Sequence, residues 1–394
     1  MPSKDATSST WAQNVEERCQ TSNTTNDSII HLKMATGECP PYNNFARFVS
    51  DPFDKKIYMI RGTKNYKDCI NWPTSDFYAC DTSSMTWTNL TNHLKHLNPS
   101  ESADFFYERE IKPLPCVSLS GATLLRIENS SYIALFGGCN EAAKATSELI
   151  IVDPKNRQWW TAKFKGEVRV SPRINPAVVA IGDRIYIFGG HRKFDVWDQQ
   201  PCHSYSVAQC LSKVNWQWLT CDHPYPDWVQ LPPGQCFKWA CALYDDTKIL
   251  LTPYRHADEE AIDFTPENCF FFHIEHKSFE TATTNIIGAF PRDIRWHLLY
   301  RPPIPVSKFD STVIMCCFID VPGTDDIAPE IWKFSSTPEQ KIECLGIMRK
   351  MWDLDSDFRG AFCIDDKVRI MGSNQEGREV RWKWNTYLDI NWKK

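Results

Sequence analysis

The sequence predicts an all-β fold in which six similar four-stranded units close into a β-propeller. Three observations predict it. The run Tyr132-Ile-Ala-Leu-Phe-Gly137-Gly138 returns as Ile185-Tyr-Ile-Phe-Gly189-Gly190 about fifty residues later. A six-residue offset recurs between the end of one apolar run and an aromatic: Asp81 to Trp87, Asp153 to Trp159, Cys210 to Trp216 and His273 to Phe279. From about residue 40 onward, short apolar runs alternate with Gly, Pro, Asn and Asp clusters, and helical periodicity is scarce. Self-similarity at such a period marks a supersecondary unit that is stacked rather than packed once.

The unit can be read strand by strand. GATLLRI (121–127) and NPAVVAI (175–181) precede the two diglycine runs and read as first strands. The second strands are KIYMI (56–60), YIALF (132–136), RIYIF (184–188), KILLT (248–252), TVIMC (312–316) and KVRIM (367–371), which sets the count at six. A diglycine after the second strand allows positive φ and close backbone approach. DFYACD (76–81) and SELIIVD (147–153) read as third strands that end on an Asp turn. The aromatic six residues later falls on the fourth strand, where it packs against the neighbouring unit. One such unit cannot bury both faces, so the units stack in a ring. The stretch 91–109 reads as an inserted loop with a helical turn at most. Residues 1–38 read as a polar arm and 39–394 as the propeller. The last unit runs on into VRWKWN (380–385) and Ile390-Asn-Trp392, so it can be complete by itself. The arm, with Trp11 and IIHLKM (29–34), can instead supply a closing strand, and a seventh blade is the alternative count.

These features resemble the kelch repeat, with its apolar residues, Gly-Gly, and spaced Tyr and Trp. The resemblance spans about 40–394 and is degenerate. Only two units carry Gly-Gly; the place is taken elsewhere by Arg61-Gly62, Pro253-Tyr254, Phe318-Ile319 and Gly372-Ser373. The resemblance implies a six-bladed propeller with its ligand face on the loops after strands 2 and 4.

Composition narrows the function. The chain has 44 basic and 49 acidic residues, a net charge of −5 that indicates neither a nucleic-acid nor a membrane partner. No run approaches the ~18 apolar residues of a membrane helix. The N-terminus MPSKDATSST has no apolar core of a secretion signal. A cytoplasmic or nuclear, unsecreted protein is therefore expected, with its 16 Cys as reduced thiols. No C-x-x-C pair occurs, and adjacent Cys316 and Cys317 would face opposite ways on a strand, so zinc is not expected. The 16 Trp and 22 Phe suit the packing of pleated faces.

Candidate site residues gather just past the second strands. They are Arg61 and Lys64; Asn140, with Lys144; His191, Arg192 with Lys193, and Trp197; Tyr254 and Arg255; and Arg378. Such a ring of cations and amides suits a carboxylate-bearing ligand, since guanidinium forks pair with carboxylates two bonds at a time. The competing reading is an ordinary solvated loop face. Tyr225 and Trp228, in the aromatic connector 221–235, could wall a pocket or simply pack the connector.

Glu259, Asp263 and Glu267 follow a four-residue spacing that resembles the E-x-x-x-D-x-x-x-H of plant specifier proteins, also kelch propellers. That resemblance implies a divalent metal such as ferrous iron. Here Glu267 stands where His would be, and a solvated acidic loop accounts for the same residues. No phosphate-binding glycine loop or G-x-S-x-G elbow is present. A non-catalytic module without cofactor, binding a protein segment or small anionic ligand, is expected. The alternatives are a propeller enzyme or specifier acting on a small metabolite, and a sugar-binding propeller.

Overall fold

The computed structural model describes residues 30–41, 46–64, 72–99, 106–193, 200–229, 238–245, 247–254, 269–281 and 285–287. Further on it describes the strands 304–308, 312–320, 327–335, 341–347, 357–364, 367–376 and 381–390. Among these residues there is no α-helix; two 3-10 turns, Thr91–His93 and Asp227–Val229, are the helical elements. No helix among them is long and apolar enough to cross a membrane. The chain divides into two compact units. One is Met34–Cys241 with Glu376–Asn385; the other is Met1–Lys33, Ala242–Gln375 and Thr386–Lys394.

The first of these units is built on three antiparallel sheets. Their strands, in order, are Arg47–Asp51, Lys56–Ile60, Phe77–Asp81 and Thr86–Asn89; then Gly121–Ile127, Ser130–Phe136, Leu149–Asp153 and Gln158–Thr161; then Ala177–Ile181, Arg184–Phe188, Ser204–Cys210 and Asn215–Pro224. Gly121–Ile127 packs against both Arg47–Asp51 and Ala177–Ile181, so the first strands meet on the inner side. This is the arrangement of propeller blades.

The six-residue offset has a simple geometric basis. It places each aromatic opposite the residue just before the hairpin turn: Cys80 with Trp87, Val152 with Trp159, and Phe272 with Phe279. Cys210 itself faces Trp216. Trp87, Trp159 and Trp216 are buried. The turn is held by its Asp. Asp81 Oδ1 accepts from the Ser83 and Ser84 amides, and Asp153 Oδ1 from that of Asn156. An Asp side chain that bonds the backbone two or three residues on mimics a turn and pins the hairpin register.

In the second unit, Ile304–Lys308, Thr312–Asp320, Ile327–Ser335 and Lys341–Ile347 form another four-stranded antiparallel set. Its first strand packs against Asp357–Ile364. All six expected second strands are second in their sheets. Complete blades, with the register described throughout, number four among the described residues, not six or seven. The sheets of Lys238–Asp245, Lys248–Tyr254, Phe270–His273 and Ser278–Thr281, and of Asp357–Ile364, Lys367–Glu376, Arg381–Ile390 and Ile30–Met34, are described in strand order with part of their register.

Two features depart from the sequence expectation. The 91–109 stretch is no loop: after its 3-10 turn, Lys95–Pro99 and Phe106–Ile111 pair and extend the second sheet to six strands. Leu97, 2% exposed, anchors this addition in the core. In addition, a short segment runs parallel along the outer edge of several fourth strands. Thr36–Gly37 does so on Thr86–Asn89, Lys163–Phe164 on Asn215–Pro224, and Asn285–Ile287 on Lys341–Ile347. These additions cover edge groups that would otherwise be open to foreign strands.

Candidate functional site

The diglycine position explains how the loops after the second strands are built. Gly137 and Gly189 have φ of 66° and 56°, and each donates its amide to the residue at the start of the third strand, Glu148 and Ser204. A Cβ on Gly137 would lie 2.4 Å from the Arg173 carbonyl, and one on Gly190 2.8 Å from that of Ile174. Both glycines are there because a neighbouring backbone passes too close for any side chain.

The first sheet breaks this rule. Arg61 occupies the same position, with φ of 55° and its amide donated to Asp76 at 2.6 Å. Left-handed backbone is costly for a residue with a Cβ. The Arg61 side chain is 2% exposed, and its Nε and Nη2 have no hydrogen-bond partner. Burial lowers its pKa to about 10, with Cys116 and Glu148 opposing from nearby, so it stays cationic at neutral pH. Lys64, three residues on, is in a two-residue strand paired to Trp72–Pro73 rather than in an open loop.

The loops of the second and third sheets are knitted together. His191 and Ile174 exchange both backbone hydrogen bonds, at 2.7 and 2.9 Å. Lys144 and Lys193 form an antiparallel bridge. Two residues so paired sit directly opposite, and like charges there are destabilising. Both lysines are exposed, as is Arg192. Together with Ser171, and with Ala143, Ala145 and Pro172 as apolar wall, they line a cavity of about 490 Å³. That volume suits a small-molecule ligand. Asn140, by contrast, is committed to structure: its Oδ1 accepts from the Ala142 and Lys144 amides, both at 3.0 Å, and so shapes the loop that presents Lys144.

Next to the cavity lies a half-buried ion pair that sequence reasoning missed. Arg173 is fully buried and donates to Asp222 Oδ1 at 2.6 Å, to the Gly189 and Ser204 carbonyls, and to the Ser204 and Ser206 hydroxyls. Asp222 Oδ2 accepts from the amide and hydroxyl of Ser171, a residue of the cavity wall. Burial of Asp222 would raise its pKa, but the bonds from Ser171 and Arg173 outweigh it and leave the carboxyl below its usual range. Forty-nine residues separate the two partners, so no local spacing announces them.

The remaining expected site residues distribute as follows. Tyr225 is buried at 4% exposure near Arg173 and Cys202, and burial pushes its hydroxyl pKa well up. Trp228 is 53% exposed in a 3-10 turn. Neither lines the cavity, so the aromatic wall expected of them is absent from it. Tyr254 ends the strand Lys248–Tyr254 instead of standing in a loop. Trp197, Arg255 and Arg378 lie outside the described residues, as do Glu259, Asp263 and Glu267. Among the described residues no group of His, Cys, Asp and Glu could hold a metal.

Comparison with known proteins bears on the third sheet above all. The Kelch motif family model matches residues 172–221, from the residue before Arg173 to the one before Asp222. Comparison with curated proteins gives no match. A solved structure titled "Structure of YjhT" is similar at 12% identity and a TM-score of 0.45, covering 78% of this chain and 84% of that one. Residues 172–221 thus carry a kelch motif, set on the four-stranded plan that the third sheet shares with the first two.

Proposed function

We propose that this protein is a non-catalytic kelch-type binding module for an anionic ligand, a small molecule or an acidic protein segment, held by the loops after the second strands. One observation carries the proposal: Lys144 and Lys193 face each other across a backbone bridge, with Arg192 beside them, on the wall of a 490 Å³ cavity. An anion held between two like charges is attracted by both. The apolar wall of Ala143, Ala145 and Pro172 favours a ligand with a small hydrocarbon body behind its charged end.

We further propose that the six sheets of four or more strands are six blades, with Ile30–Met34 as the strand contributed to the last of them by the arm. The reading of Glu259, Asp263 and Glu267 as a metal site, and that of a sugar platform, draw no support from the described residues.

The test is thermal denaturation of the purified chain with acetate, citrate, inorganic phosphate, ferrous iron or neutral oligosaccharides. The anions should raise the Tm in a dose-dependent manner at constant ionic strength, and the sugars should not. Stabilisation by the sugars alone, or by iron alone, would refute the proposal in favour of the lectin or the metal-dependent alternative.

A further inference from the structure

We infer that Arg61 is a second anion position on this face, one that reads a carboxylate. The inference shares with the proposed function the view of this face as anion-binding, but it rests on a different residue. Three features converge on Arg61. It keeps a left-handed backbone where the two neighbouring sheets use Gly137 and Gly189. It buries a guanidinium that forms no ion pair with a carboxylate among the described residues. Its two unsatisfied nitrogens are Nε and Nη2.

The last point specifies the ligand. Nε and Nη2 share one edge of the guanidinium plane, and this edge meets the two oxygens of a carboxylate side-on in paired, charge-assisted hydrogen bonds. Arg173, whose own Nε also lacks a partner, has both Nη atoms bonded and Asp222 as counter-ion. Arg61 has the burial, with Glu148 nearby, but no ion-paired carboxylate among the described residues. A residue that is unfavourable both in backbone and in solvation, at a position where glycine is the local solution, marks function rather than folding.

The experiment compares the wild-type chain with Arg61→Gly, Arg61→Lys and Lys144→Ala/Lys193→Ala, using acetate as probe and melting temperature as readout. Arg61→Gly restores the residue of the sibling blades, and Arg61→Lys keeps the charge without the fork. Arg61→Gly should melt no lower than wild type. The acetate-induced rise in Tm should shrink in both Arg61 variants and persist in part in the lysine pair variant.

A drop in Tm for both Arg61 variants without acetate would make Arg61 a structural residue and overturn the inference. An acetate response lost only in the lysine pair variant would also overturn it, while leaving the proposed function standing. An acetate response unchanged in all three variants would count against both.

Discussion

Arg173 and Arg61 are both shut away from solvent, at 0% and 2% exposure, yet they live in opposite chemical circumstances. Arg173 makes five hydrogen bonds through its Nη atoms, one to the carboxylate of Asp222. Arg61 has two buried nitrogens with no partner and a strained backbone. The contrast teaches how to separate structural from functional charge in a repeat protein. A buried cation that its own chain ion-pairs, as Asp222 does Arg173, belongs to the fold. One whose fork is empty, at a position where siblings carry glycine, is held at a cost to folding.

The strongest way to break this comparison is to remove Arg173. Taking away Arg173 removes five hydrogen bonds and leaves the half-buried Asp222 carboxylate without its counter-ion. Arg173→Ala should therefore shift the urea midpoint markedly downwards, and Arg173→Ala/Asp222→Ala should lose less than the sum of the single changes. Additive losses in this cycle would show that the two side chains are not coupled.

The next effect in size is acid sensitivity. The folded pKa of Asp222 is depressed below its unfolded value. Its contribution to stability is then fully present above the unfolded carboxylate range, near ~4, and is lost as pH falls through the lower folded value. Urea unfolding between neutral and acid pH should show a steeper decline for wild type than for Asp222→Asn. Equal slopes would remove Asp222 from the acid response.

A smaller effect is expected at the cavity. Replacing the opposed lysines with Lys144→Ala/Lys193→Ala should raise stability at most slightly in anion-free, low-salt buffer, since both are exposed. The gain should vanish at high salt, where screening already relieves exposed charges. The smallest effect is that of Arg61→Gly on the unliganded chain, where loss of packing around the Arg stem opposes relief of backbone and solvation strain.

The two arginines also mark how far the fold and the site were legible in the sequence. The strands were readable because a short continuous apolar run followed by Gly-Gly fits a strand buried on both faces and closed by a tight turn. The Asp-to-Trp offset likewise reflects one hairpin geometry. The 91–109 insertion was misread because KHLNP and FYEREI carry charges that mask strand alternation; Leu97 is its main apolar anchor. The parallel edge segments, of two or three residues, are too short for any pattern to show. Within the site, Arg61 was visible as a missing glycine, and Arg192 and Lys144 as loop cations. The pairing of Lys144 with Lys193 comes from contact between loops of two sheets, and that of Arg173 with Asp222 from the closing of one repeat on itself, and no local window contains either. Tyr225 looked like a pocket wall because an aromatic among prolines reads equally well as surface or as packing.

The central claim, that the loops after the second strands hold an anion between Lys144, Lys193 and Arg192, is tested most directly by titration calorimetry with citrate. Wild type and Lys144→Ala/Arg192→Ala/Lys193→Ala would be titrated side by side at low and high salt. The account predicts a saturable heat in wild type that weakens with salt and is largely lost in the triple variant. Equal binding by both proteins, or no saturable heat in wild type at low salt, would contradict it.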